Sequence, residues 1–173
     1  MSRGKSKGAV VIDPAKAFQQ ACAFADCAHI CETEHLIIRA TAFARFSAAA
    51  ANSAFACELF LKSLIALCGG PGKEAGVVST HDLYQLYATL KDRDAETAEL
   101  IEDEVMRIVK LEEGYTFDKA LRDSANSFNY WRYAYEHKRA KAGVMFLHVM
   151  RLVLRDECCI RLHGITWSSY VLQ

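Results

Sequence analysis

An arginine and a histidine lie close together in an aromatic stretch, and their side chains have the chemistry of a phosphate-ester site. Residues 126–137 read NSFNYWRYAYEH and contain Arg132 and His137. A guanidinium stays charged and binds phosphate oxygens bidentately, whereas an imidazole gains and loses a proton near neutral pH. His137 would take the proton from a ribose 2′-hydroxyl or deliver one to the leaving oxygen, while Arg132 would stabilise the pentavalent phosphorane. Such a site would need no metal, and we expect no cofactor.

The spacing of this pair restricts how it would act. On a straight helix, five positions separate two side chains by roughly 140° around the axis, so Arg132 and His137 would not reach the same phosphate. Convergence requires a helix that bends or ends between them, or a second copy of the motif across a two-fold interface. A homodimer would bring two arginines and two histidines into one symmetric basic cleft.

Neighbouring side chains are candidates to support the pair or to bind RNA. Asn129 and Tyr133 would support the site, and the tyrosines of the stretch would orient the substrate or stack on unpaired bases. Basic residues just after the motif would contact the RNA backbone: Lys138, Arg139 and Lys141. A purely structural interpretation is also open, in which the aromatics belong to a core or interface and Arg132 pairs with Glu136 one turn along.

Charge and composition indicate one ordinary globular domain. The chain has 173 residues, 52% of them hydrophobic, and its formal net charge is zero, so no global field attracts a polyanion. The charge is locally uneven. Residues 91–113 hold nine acidic and four basic side chains, a net charge of −5, whereas residues 132–161 hold seven basic and three acidic ones, a net charge of +4. Any polyanion site is therefore expected in the second region.

The termini and cysteines suggest a cytoplasmic protein. We expect a flexible basic N-terminus over residues 1–12, one helical domain over 13–162 and a tail over 163–173. No secretory signal and no run of roughly 18 uninterrupted apolar residues is present, so we expect no membrane association. The seven cysteines are predicted to be small buried hydrophobes. Cys27, Cys31 and His35 follow helical spacing rather than a zinc knuckle, so no metal site is expected.

Hydrophobic periodicity predicts an all-α, up-and-down bundle of about five to six helices with short connections. The predicted helices cover approximately residues 15–30, 34–68, 82–90, 95–112, 116 or 117 through 131, and 141–162. In the fourth helix, the apolar residues are predicted to face the core: Leu100, Ile101, Val105, Ile108 and Leu111. The tail is predicted to be a loop or a packed extension.

Glu58 and Lys62 are spaced one helical turn apart, and two interpretations are open. The pair is either a solvated surface ion pair, or Glu58 points into a polar site on the bundle. His81 precedes the third helix and is predicted to hold its loop to the neighbouring helix.

Three motifs in this order resemble the HEPN (higher eukaryotes and prokaryotes nucleotide-binding) domain superfamily. They are ELFLKSL at residues 58–64, HDL at 81–83 and WRYAYEH at 131–137. The resemblance extends over about residues 13–162. Many members have an arginine, four to six variable residues and a histidine, and are metal-independent endoribonucleases with a composite site at a homodimer interface.

The resemblance implies that Arg132 and His137 are the catalytic pair and that Glu58 supports them. It implies an RNA substrate and a role as a toxin or in phage defence, with an antitoxin such as a nucleotidyltransferase-like protein as partner. Active members usually have a small polar residue after the arginine, where this chain has Tyr133. The alternative is a non-catalytic module of the same fold that binds a nucleotide, RNA or protein partner through the same cleft.

Overall fold

Seven α-helices form the described part of the chain and confirm the all-α bundle that the sequence predicts. The structure is a computed structural model that describes residues 12–33, 42–69, 79–109, 114–125 and 143–173. No strand is present in these ranges. The helices are α1 (Pro14–Thr33), α2 (Ala42–Leu67), α3 (Leu83–Arg93), α4 (Ala95–Ile108), α5 (Phe117–Asp123), α6 (Val144–His163) and α7 (Trp167–Tyr170).

Side-chain oxygens cap the starts of several helices. Asp13 accepts from the backbone N–H of Lys16 at 3.1 Å, and Pro14 then opens α1, as the sequence predicts. Asp82 and Thr116 likewise cap α3 and α5 by accepting from backbone N–H groups in the first turn. These caps satisfy donors that have no partner within the helix, and so they fix where each helix begins.

The central helix is α2, which packs against α1, α3 and α6. Phe60, Leu61 and Leu64 are each at most 2% exposed, and the hydroxyl of Ser63 donates to the Pro14 carbonyl at 2.8 Å. The helix ends at Leu67, where the Gly-rich sequence predicts its end. By length and composition the Arg45–Leu67 segment would also suffice to cross a membrane, but 61% of its apolar window is buried in the bundle. Core helices share these properties, so the segment is weak evidence of a membrane span.

Two helices are shorter than predicted. α4 ends at Ile108 rather than near residue 112, because Val109 adopts an extended conformation and is only 5% exposed. α5 ends at Asp123 instead of continuing through residue 131, and the N–H of Ser124 closes its last turn. The Ala125 carbonyl then accepts from the N–H of Leu83 at 3.0 Å, so the end of α5 is tied to the start of α3.

The core contains only part of the stripe predicted on α4. Ile101 and Val105 are buried, but Leu100 is 54% exposed and Ile108 is 44% exposed. Leu100 lies about 100° around the helix from Ile101 and so outside the buried face, whereas Ile108 shares the face of Ile101 but is the last residue of α4. The prediction that these two residues lie inside is therefore wrong.

One residue, Asp94, connects α3 to α4. Its N–H donates to the Leu90 carbonyl at 2.8 Å and closes α3. Its carboxylate accepts from the N–H of Thr97 at 3.0 Å and from the Thr97 hydroxyl at 2.7 Å, so it also caps α4. Arg161 of α6 forms an ion pair with the same carboxylate at 3.3 Å. The corner between the two helices is thus fixed to α6.

The C-terminal region is a packed extension, one of the two predicted alternatives. Gly164 ends α6 in the left-handed region at φ 75°, and its N–H donates to the Ile160 carbonyl at 2.8 Å. Trp167 of α7 then contacts Phe18 of α1, with ring centroids 6.2 Å apart. The tail is held against the start of the bundle.

The cysteines only partly match their predicted burial. Cys57, Cys158 and Cys159 are buried, whereas Cys27 is exposed and the others are half-buried: Cys22, Cys31 and Cys68. Exposure of Cys27 corrects the prediction for that residue. His35, and with it the rest of the spacing considered for zinc, lies outside the described residues, and the described residues contain no group of three or more metal-ligating side chains.

Candidate functional site

A carboxylate is buried in the middle of α2. Glu58 is 1% exposed, and its neighbours on the helix are the core residues Cys57, Phe60 and Leu61. Moving an ionised carboxylate out of water is costly unless ion pairs and hydrogen bonds replace its hydration. This burial contradicts the solvated surface pair and fits the alternative, in which Glu58 points into a polar site of the bundle.

Two basic side chains meet one oxygen of Glu58. The Lys62 ammonium donates to Oε1 at 2.7 Å, and His81 Nδ1 lies 2.9 Å from the same oxygen. Because an ionised carboxylate only accepts hydrogen bonds, Nδ1 is the donor in this contact. The predicted role of His81, holding its loop to the neighbouring helix, is confirmed. The side chain of Lys62 is 13% exposed and that of His81 is 65% exposed, so the cluster opens to solvent on the histidine side.

The second oxygen of this carboxylate, Glu58 Oε2, is buried and has no hydrogen-bond partner among the described residues. Buried carboxylate oxygens nearly always accept at least one hydrogen bond. An acceptor of this kind, in a negatively charged group, suits a charged donor such as a guanidinium. Glu58, Lys62 and His81 are called the Glu58 cluster below.

The chain on either side of residues 126–142 contacts residues that are close in sequence to members of the Glu58 cluster. On one side, the hydrogen bond between Ala125 and Leu83 places the end of α5 two residues from His81. On the other side, the Leu147 carbonyl lies in the first turn of α6, 3.8 Å from the thiol of Cys57, the residue before Glu58. Both flanks of the Arg132 and His137 stretch are therefore tied to segments that also carry members of the cluster.

Most of the predicted site residues lie outside the described residues. These are Asn129, Arg132, Tyr133, His137, Lys138, Arg139 and Lys141. Residues 1–11 of the predicted flexible N-terminus also lie outside. Of the predicted site residues, Glu58 lies within the described ranges. Lys62 and His81 both contact its Oε1 oxygen.

A second polar cluster, not predicted from the sequence, joins α1, α2 and α6. Arg151 is 1% exposed, and its guanidinium donates to both oxygens of Glu32, at 3.2 and 2.9 Å, and to the Ser53 hydroxyl at 2.6 Å. His148 Nδ1 also lies 2.9 Å from Glu32 Oε2. A signal for this cluster was present in the sequence, since Arg151 directly follows the core residue Met150 inside the apolar stripe of α6.

The two basic partners change the titration of Glu32. Burial of this carboxyl acts to raise its pKa, but the hydrogen bonds from His148 and Arg151 and their charges outweigh burial and lower the pKa to about 2. Glu32 therefore stays ionised at any physiological pH, and Arg151 stays paired. This arrangement joins α1, α2 and α6.

Comparison of the chain with protein-family models, with curated proteins and with solved structures found no match.

Proposed function

We propose that the chain is a homodimeric, metal-independent endoribonuclease of the HEPN type. The observation that carries the proposal is Glu58 Oε2, a buried carboxylate oxygen with no partner among the described residues. The two flanks of the Arg132 and His137 stretch contact the chain near this cluster, at Leu83 and at Cys57. Support also comes from the order of the three motifs in the sequence.

In the proposed reaction, His137 removes the proton from a ribose 2′-hydroxyl. The 2′-oxygen forms a bond to phosphorus, the bond from phosphorus to the 5′-oxygen breaks, and the leaving oxygen gains a proton from an imidazolium. Arg132 stabilises the charge on the phosphorane oxygens. The products are a 2′,3′-cyclic phosphate, or the 3′-phosphate formed from it by hydrolysis, and a 5′-hydroxyl end.

Glu58 has a positioning role in this proposal. Its free oxygen would accept from the Arg132 guanidinium and orient it, while Lys62 and His81 hold the other oxygen. Asn129 and Tyr133 would support the site, and Lys138, Arg139 and Lys141 would bind the RNA backbone. A role as a toxin or in phage defence, with a nucleotidyltransferase-like antitoxin, is proposed from the resemblance alone.

The test is cleavage of total RNA in the presence of EDTA by the wild-type protein and by Arg132→Ala and His137→Ala variants at matched dimer content. Both variants are expected to lose cleavage, whereas His29→Ala, which removes an exposed histidine of α1, is expected to retain it. Glu58→Gln is expected to lower the cleavage rate about tenfold or more while RNA binding is retained, because a misplaced catalytic group costs rate. A folded wild-type dimer that leaves RNA intact would contradict the nuclease proposal.

A second candidate is a non-catalytic module that binds RNA, a nucleotide or a protein through the same cleft. The residue that favours it is Tyr133, a bulky aromatic in the position after Arg132. Binding by such a module would depend on Arg132 and would tolerate His137→Ala, whereas a nuclease bearing His137→Ala would bind without cleaving. RNA binding and cleavage measured on the same two variants therefore separate the candidates.

A further inference from the structure

A groove of about 570 Å³ lies between α4, α6 and α7, and the Glu58 cluster does not line it. Its base includes Ile101, which is 1% exposed, and Val153, which is 9% exposed. Trp167 of α7 is a further part of the lining. The groove is therefore built on the packed core of the bundle.

Three large apolar side chains border this groove and face solvent. Leu100 and Ile108 of α4 are 54% and 44% exposed, and Leu152 of α6 is 38% exposed. Leu100 and Ile108 are eight residues apart, which on a helix is about 12 Å. Single exposed apolar residues are common on protein surfaces, but several around one concave surface indicate a binding site.

The charges around the groove are predominantly negative. α4 carries five acidic residues and one arginine, a net charge of −4. The charged residues that line the groove are four acids and two bases, a net charge of −2: Asp103, Glu104, Asp156, Glu157, Arg107 and Arg155.

Both of these bases are already paired. Arg107 forms an ion pair with Glu104 at 2.6 Å. Arg155 pairs with Asp26 at 3.2 Å, and its guanidinium lies 4.7 Å from the ring centroid of Trp167. Asp103, by contrast, has no basic partner among the described residues. Glu157 is paired with Arg161 at 2.9 Å, so among the described residues the lining acids without an ion pair are Asp103 and Asp156, and these offer negative charge to a ligand.

We propose that this groove docks a cationic amphipathic helix from a partner protein. Leucine-type side chains one to two turns apart on such a helix would enter between Leu100, Ile108 and Leu152, as in other helix-in-groove complexes. Lysine or arginine residues flanking its apolar face would meet Asp103 and the acidic residues of α4. The same charges oppose an acidic helix or a nucleic acid, so the partner differs in chemistry from the RNA proposed for the Glu58 cluster.

The test uses synthetic labelled peptides of about 18 residues, or five helical turns. One peptide has leucines at helical spacing with lysines beside them, a second has glutamate in place of every lysine, and a third keeps the lysines but has serine in place of leucine. Fluorescence anisotropy measures the affinity of each for the full chain. The lysine and leucine peptide is expected to bind about tenfold or more tightly than either of the others.

Two variants with a matched control locate the binding. Leu100→Ser with Ile108→Ser is expected to weaken binding of the cationic peptide about tenfold. Asp103→Asn with Glu104→Gln is expected to reduce the preference for lysine over glutamate. Leu172→Ser, which alters an 86% exposed leucine outside the groove, is expected to change nothing. All of the altered side chains are exposed, so circular dichroism should show unchanged helix content.

Three results would overturn the proposal. The first is absent binding, or equal binding of the lysine and glutamate peptides. The second is undiminished binding by the Leu100→Ser and Ile108→Ser double variant. The third is a wild-type dimer that this variant converts to a monomer in light scattering, because the occupant of the groove would then be a second copy of the chain.

Discussion

The carboxylate of Glu58 and the imidazole of His81 lie 2.9 Å apart, and this contact joins the middle of α2 to the residue before the cap of α3. Glu58 is nearly inaccessible, whereas His81 is mostly exposed. The contact therefore links the interior of the bundle to its surface, next to the end of α5.

Replacing Glu58 should destabilise the protein more than replacing His81. Glu58→Gln is expected to lower the free energy of unfolding by about 2 kcal/mol, because it removes a buried charge that pairs with Lys62 and His81. His81→Ala should cost less than about 1 kcal/mol, since its partner keeps Lys62 and the histidine is well solvated. Urea unfolding measures both, with the exposed His29→Ala as the control. Equal losses in Glu58→Gln and His29→Ala would show that the cluster does not stabilise the fold.

The ion pair between Arg151 and Glu32 should be strongly coupled. Arg151→Met is expected to destabilise the protein by about 3 kcal/mol, because Glu32 and Ser53 lose a buried donor. The double variant Arg151→Met with Glu32→Met should be more stable than Arg151→Met alone, since no unpaired charge remains. A double-mutant cycle in urea gives the coupling free energy. Simple addition of the two single effects would contradict the coupling.

The same carboxylate predicts a pH dependence of stability. The folded-state pKa of Glu32 is about 2, below its ordinary value of 4.5, so the folded protein binds the proton less readily than the unfolded chain. Its contribution to stability is complete above pH 4.5 and is lost as the pH falls toward 2. Thermal unfolding of wild type and Glu32→Gln should therefore show a difference in Tm near neutral pH that shrinks through this range. A Tm difference that stays constant with pH would show that the lowered pKa of Glu32 is not its cause.

At Gly164 the cost of a left-handed backbone conformation can be measured separately from any change in side-chain packing. At φ 75° an alanine is strained, although a Cβ there would meet nothing within 4 Å. Gly164→Ala should therefore cost about 1 kcal/mol from the backbone alone, and Gly164→Asn should cost less. Leu172→Ala is the control, since it shortens an 86% exposed side chain at a position without a left-handed backbone. Equal effects of the two alanine variants in thermal unfolding would count against the left-handed C-terminus of α6.

Thiol labelling should distinguish the exposed cysteine from the buried ones. In the native protein Cys27 is expected to react first with a thiol reagent, whereas Cys57 should react only on unfolding, because burial raises the pKa of its thiol to about 12. Mass mapping of the labelled sites identifies the order. In Cys27→Ser the fastest phase should disappear; if it persists, another thiol is exposed.

The sequence predicts local features of this fold well. Asp13 and Pro14 mark the start of α1, and the glycines after Leu67 mark the end of α2, because caps and helix-ending residues act within one turn. The early end of α4 was not predictable, because it depends on Val109 turning into the core. The exposure of Leu100 likewise depends on which neighbours α4 packs against, and periodicity does not contain this information.

In the candidate site, too, local spacing was predictable from the sequence but burial was not. Spacing alone placed Glu58 and Lys62 one turn apart but left open whether they lie in solvent or in the bundle. Their burial follows from the packing of α2 against its neighbouring helices, and His81, the residue before the cap of α3, contacts Glu58 at 2.9 Å. The place of Arg151 in the apolar stripe of α6 indicates burial, but the sequence does not identify its partner Glu32, which lies 119 positions away.

Asp94, which closes α3 and opens α4, has a consequence for how this region can change in evolution or in engineering. Because one residue serves both helix ends, an inserted residue would separate the two caps and break the ion pair with Arg161. Substitutions on the surfaces of α3 and α4 are compatible with this corner, whereas changes in its length are not. Side-chain replacements on the acidic face of α4 can therefore change what this face binds, while the position of α4 relative to α6 stays the same.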